Sequence, residues 1–114
     1  MLQQRQYNDV YGFLEVSNTA ALSPGAVGNG TTVSVTAACT LQGTTSAATF
    51  GLGDSLEVIV PVSAASNGLL ISATPTATAG TAQVYFQNQT GGSITPTAAT
   101  SYKIIAKRFR ADVV

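Results

Sequence analysis

The stretch Gly80-Thr81-Ala82-Gln83-Val84-Tyr85-Phe86-Gln87-Asn88 decides the fold class. Its side chains alternate. Val84 and Phe86 fall on one side, and Gln83, Tyr85 and Gln87 on the other, a period of two that belongs to a β-strand. Glycine punctuates both flanks, at Ala79-Gly80 and at Gly91-Gly92. Working outward, the same alternation recurs. Gly68 to Thr74 aligns Leu69, Ile71 and Ala73, and Ser55 to Val62 aligns Leu56, Val58, Val60 and Val62 behind the turn Gly51-Leu52-Gly53-Asp54. Thr31 to Ala37 aligns Val33, Val35 and Ala37, with Cys39 in phase, and Ser101 to Phe109 aligns Tyr102, Ile104 and Ala106. No segment carries a 3.6-residue apolar stripe. Strands and turns of this spacing predict an all-β chain, a small antiparallel β-sandwich or jelly-roll-like domain.

Composition narrows the function. With 114 residues the chain is sized for one domain. Only 9% of the residues are charged, and five basic and five acidic side chains cancel. Net neutrality argues against general nucleic-acid binding. Such a surface resists aggregation poorly when free, so much of it is expected to be covered by partners. Without histidine, the commonest general base and metal ligand is missing. One cysteine makes neither an internal disulfide nor a zinc site. The expectation is a protein that is not an enzyme and uses no cofactor, metal or small-molecule substrate. No apolar run approaches a membrane-spanning length, and Met1 to Gln6 does not read as a signal peptide, so synthesis in the cytoplasm and no membrane partner are expected.

Few residues invite chemistry. Asp54 and Glu57 are the only acids between Val16 and Asp112. Asp54 follows two glycines and reads as a turn residue exposed to solvent, and Glu57 points away from Leu56 and Val58. Cys39 shares its face with Val33, Val35 and Ala37 and reads as a buried, inert thiol. Gly51-Leu52-Gly53 and Gly91-Gly92 lack the following helix of a phosphate cradle and read as turns. The sequons Asn29-Gly30-Thr31 and Asn88-Gln89-Thr90 read as chance matches. Lys103, Lys107, Arg108 and Arg110 form a basic cluster, read either as solvated strand-end charges or as a contact for an acidic protein surface.

The second strand face is informative. It carries Ile59, Leu70, Tyr85 and Ile105 among polar residues. Either a bulge shifts the phase, or these residues form a contact surface for another subunit. Residues 1–16 also stand apart from a sandwich domain over 17–114. They hold three of the ten charges (Arg5, Asp9, Glu15) and the aromatics Tyr7, Tyr11 and Phe13. One reading is an anchoring arm, with Leu2, Arg5, Tyr7, Tyr11 and Phe13 meeting a capsid or a neighbouring protomer. The other makes Val10 to Val16 the first strand.

Several short strings carry a family likeness. Leu22-Ser23-Pro24-Gly25-Ala26 precedes the strand at Thr31, and Gly51-Leu52-Gly53-Asp54-Ser55-Leu56-Glu57-Val58 opens the next. Gly68-Leu69-Leu70-Ile71-Ser72-Ala73 leads to Val84-Tyr85-Phe86-Gln87-Asn88-Gln89-Thr90, and Ile94-Thr95-Pro96 precedes the last strand. From Leu22 onward the chain resembles small β-sandwich structural proteins of tailed bacteriophages, most of all capsid decoration (cement) proteins. The resemblance implies a virion protein on the capsid surface, made in the bacterial host, with the major capsid protein and its own copies in a homotrimer as partners. The alternative is a tail-associated fibre, knob or adaptor module that binds a host receptor or a tail component.

Overall fold

The computed structural model describes residues 11–64, 66, 68–97 and 101–109. Six strands follow one another: β1 (Tyr11–Thr19), β2 (Thr32–Leu41), β3 (Ser55–Ile59), β4 (Leu69–Pro75), β5 (Thr81–Asn88) and β6 (Lys103–Phe109). Among the described residues the only helical element is a single 3-10 turn at Val62–Ala64. All pairings are antiparallel and the spatial order is β3-β6-β1-β2-β5-β4. The fold is all-β, as expected from the alternation.

The sheet folds over on itself through β2. From Thr32 to Ala38 that strand pairs with β5, and from Cys39 to Leu41 it pairs with β1. A strand that changes partner in this way makes the corner between two layers. One layer is β3-β6-β1 and the other is β2-β5-β4. On the far side the layers converge along β3 and β4, which lie beside each other without a hydrogen-bonded register.

Between the layers sits the core. Val84 and Phe86 of β5, Ala37 and Cys39 of β2, and Ile104 and Ala106 of β6 are buried, joined by Phe50, Leu22 and Val27 from the connections. Tyr102 meets Phe86 edge-to-face, with ring centroids 5.8 Å apart and planes at 81°, an arrangement worth about 1 kcal/mol beyond its buried area. Val33, Val35 and Leu41 of β2, Leu56 and Val58 of β3, and Leu69 and Ile71 of β4 are only half-buried.

Local chemistry sets the strand ends. β3 stops at Ile59, and Pro61 follows in the bend to the 3-10 turn, so the expected continuation through Val60 and Val62 fails. Both valines lie exposed, Val62 almost completely (99%). Gly80 has φ +76° between β4 and β5, and a Cβ there would lie 2.2 Å from the Ala48 carbonyl oxygen. Only glycine lets the backbone pass so close. Its N–H donates to Phe50 O at 2.7 Å, and its carbonyl accepts from Cys39 N at 2.9 Å.

The first strand runs through the boundary drawn at residue 16. Residues 11–16 are paired with β6 and belong to the sandwich, with a bulge between Tyr11 and Phe13. Tyr11 and Phe13 are therefore strand positions, while Leu2, Arg5 and Tyr7 lie outside the described residues.

Candidate functional site

The register places the second-face residues on two opposite outer surfaces. On the β3-β6-β1 layer, Val16, Ile105 and Glu57 form one cross-strand row. Leu14, Lys107 and Ser55 form the row on one side of it, and Asn18, Lys103 and Ile59 the row on the other. On the β2-β5-β4 layer the rows are Thr32, Gln87 and Leu70; Ser34, Tyr85 and Ser72; and Thr36, Gln83 and Thr74. Ile59 and Ile105 thus share one outer face, and Leu70 and Tyr85 share the other. The four do not make one patch. Ile59 (42%) and Leu70 (62%) are clearly exposed, while Tyr85 and Ile105 are half-buried.

The two faces differ in chemistry. The β2-β5-β4 face bears hydroxyls, amides, Tyr85 and Leu70 and no charge. Thr36 donates to Gln83 Oε1 at 2.7 Å across it. The other face carries an oblique apolar band, Leu14, Val16, Ile105 and Ile59, with Lys103 and Lys107 beside it. Lys107 Nζ lies 3.5 Å from Glu57 Oε1, an exposed pair worth less than about 1 kcal/mol.

The basic cluster does not hold together. Lys103 and Lys107 point to the outer face, while Arg108 turns the other way and grips Asp54 through Nε and through Nη2 at 2.9 Å. Arg110 lies outside the described residues. Asp54 is therefore not the solvated turn residue expected. Its carboxylate does accept the Gly51 N–H at 2.9 Å, closing the turn, yet the side chain is fully buried under Arg108. The two bonds from the guanidinium hold the Asp54 carboxyl below the usual carboxylate range against the opposing effect of burial, with the Gly51 N–H adding to them. Nothing in the turn motif announces a partner 54 residues away.

Two further polar anchors escaped the sequence reading. Glu15 faces inward from β1 and accepts Thr49 N at 3.0 Å, Thr49 Oγ1 at 2.7 Å and Phe50 N at 3.2 Å, pinning the connection before β3. Asn88, fully buried, donates to Val27 O and Gly92 O at 2.7 Å each and accepts from Thr90 N and Thr90 Oγ1. All its hydrogen-bonding capacity is used to lock the 23–30 and 88–94 connections together. Its burial also closes the second sequon to modification. The available signal was its phase: Asn88 continues the Val84–Phe86 face, where a polar residue needs internal partners.

Cys39 is buried, and desolvation pushes its thiol up to about 11, partly offset by the neighbouring Ser17 hydroxyl and the Ala82 backbone. A thiol so displaced is a poor nucleophile at neutral pH. Among the described residues no group of three or more His, Cys, Asp or Glu side chains converges on a point. Compared with protein-family models, curated proteins and solved structures, the chain matches none of them.

Proposed function

We propose that this chain is a non-enzymatic structural protein of a tailed-phage virion, which decorates the capsid and clamps neighbouring major capsid protein subunits. The observation that carries the reading is the pair of opposite outer faces with exposed apolar side chains, Leu14 and Ile59 on the one that bears Glu57, Lys103 and Lys107, and Leu70 on the one that bears no charge. They accompany the likeness of the Leu22–Ala106 pattern to decoration proteins. Two different sticky faces on opposite sides suit head-to-tail contacts, and such contacts close into rings. A homotrimer is the ring that the family likeness favours. The mechanism is buried area. A protein that binds the assembled lattice and not its free subunits stabilises the lattice by mass action, and repeated contacts reinforce one another through high effective concentration. The partners in this reading are protein surfaces, not nucleic acid, membrane or a small-molecule substrate, and the location is the capsid surface. Immunogold labelling of intact virions tests it. Label over the head is expected, and label confined to the tail overturns it in favour of a fibre, knob or adaptor module.

A further inference from the structure

The outer face of the β2-β5-β4 layer is a floor of three strands about 4.8 Å apart, with Tyr85 in its middle row. These three strands contain no charged residue. Ser34 of β2 and Ser72 of β4 sit directly across from Tyr85, and Gln83 and Gln87 lie two residues from it along β5, on the same side. Both serines are exposed and too short to cover the ring. The two flanks of Tyr85 differ. Cys39 N donates to Gly80 O and Asn88 N to Thr31 O, so the odd residues of β2 carry the bonds to β5. Ser34 and Tyr85 are then a non-hydrogen-bonded pair, whose side chains stand close. Thr76 N donates to Thr81 O, so Ser72 and Tyr85 are a hydrogen-bonded pair with wider spacing. The floor is more open between Tyr85 and β4 than between Tyr85 and β2.

The polar groups around the ring are uncommitted. Thr36 donates its hydroxyl to Gln83 Oε1 at 2.7 Å, which fixes the amide and leaves both its N–H donors unused among the described residues. The side chains of Ser34, Ser72, Tyr85 and Gln87 make no hydrogen bond among the described residues. An aromatic ring amid free hydroxyls and amides, without charge, matches the chemistry of a neutral sugar, which has C–H groups on its flat side and hydroxyls around its edge. We propose that this face binds an unbranched, neutral, ribbon-like polysaccharide, a cellulose-like β-linked glucan, laid over Tyr85 on the side of Ser72. One sugar ring stacks its C–H side on Tyr85, and the hydroxyls of the chain accept from Gln83 and exchange bonds with Ser34, Ser72 and Gln87. A chain is the occupant because the floor is flat and has no walls to enclose a single sugar. An anionic polymer would meet no cation on this face, and a purely apolar protein surface would bury these amides and hydroxyls unpaired. The inference goes beyond the capsid reading and does not rest on it. Leu70 lies one row from Tyr85 on β4, so a ring of copies closed through Leu70 competes with the sugar for this face.

Titration of the full chain with cellohexaose, followed through amide chemical shifts, tests it. It is run on the wild type and on Ile59→Lys, a substitution on the opposite outer face that frees this one if copies cover it. Saturable shifts are expected at Ser34, Tyr85, Ser72 and the Gln83 side-chain amide, and none at Glu57 or Ile105. Tyr85→Ala should weaken binding by about tenfold or more, while Tyr85→Phe, which keeps the ring, should bind nearly as the wild type. Gln87→Ala, at an exposed position that leaves the fold intact, should weaken binding by about threefold. Maltohexaose, whose chain coils, and an oligogalacturonate of the same length, which is charged, should leave the face unshifted. No saturable shift with cellohexaose in either chain would overturn the proposal and leave the capsid reading untouched. Equal binding of maltohexaose or of the oligogalacturonate would overturn it as well, and so would unchanged affinity in a folded Tyr85→Ala chain. Label confined to the tail of intact virions would instead overturn the capsid reading and leave the sugar site standing.

Discussion

Asp54 and Arg108 tie the turn before β3 to the end of β6, and the tie has a pH signature. A carboxyl held below its ordinary value stabilises the fold above about pH 4, the unfolded value, and that stabilisation is lost as pH falls through the folded value. Thermal melts should therefore show the wild type losing stability on acidification below about pH 4. Asp54→Asn should lose less of its remaining stability over the same range. Asp54→Ala should cost about 2 kcal/mol in urea unfolding; the side chain of Arg108 is half exposed, so its stranded charge is partly solvated. Tyr102 makes the opposite case. Its ring packs on Phe86, but its buried hydroxyl has no hydrogen-bond partner, and burial pushes its pKa up. A buried hydroxyl without a partner is a cost, so Tyr102→Phe should leave the fold as stable or raise its stability by up to about 1 kcal/mol. A loss above that size in a urea titration would show that the hydroxyl is satisfied.

At the scale of elements, the connections are held by side chains of the strands they leave. Asn88→Ala removes bonds to Val27, Thr90 and Gly92 at a fully buried position and should cost about 3 kcal/mol. Asn88→Asp keeps the shape but turns a donor into an acceptor facing two carbonyls, so it should be no better than alanine when both are unfolded in urea. Strands with strong alternation were legible from the sequence: Thr81–Asn88 spans the same residues in both readings, and the inward sets of β2, β4, β5 and β6 follow the expected phase. Val60 and Val62 misled because the pattern continues in phase across Pro61 after the strand has stopped. The partition of Ile59, Ile105, Leu70 and Tyr85 between two faces was illegible because parity tells which side of its own strand a residue takes. It does not tell which layer the strand joins. Asp54–Arg108 and Glu15–Thr49 were hidden for a related reason, since neither partner lies close enough in sequence for a local motif to connect them.

At the scale of the whole molecule, the two outer faces set the expected assembly. Sedimentation equilibrium at micromolar concentration should report a trimer, and Ile59→Lys and Leu70→Lys should each shift it toward monomer, because each places a charge within the proposed head-to-tail contact. A monomeric wild type would contradict this. Residues 2–9 precede the paired residues of β1 (Tyr11–Thr19), so deleting them should leave the sandwich melting as before while capsid binding falls. Equal capsid affinity for the shortened chain would remove the anchoring role of Leu2, Arg5 and Tyr7.

The pairing of Tyr11 with Phe109 has a mechanical consequence. Tyr11 and Phe109 lie opposite each other at one end of the antiparallel β1–β6 ladder. Tension applied through them would load the β1–β6 ladder one rung at a time, as a zipper opens, in place of shearing all rungs together. A body joined in this way peels under modest force along its own chain. It resists far better when the load crosses its two broad faces and is shared by both layers. A protein that must hold other subunits against pressure is therefore best gripped across those faces and not through Tyr11 and Phe109.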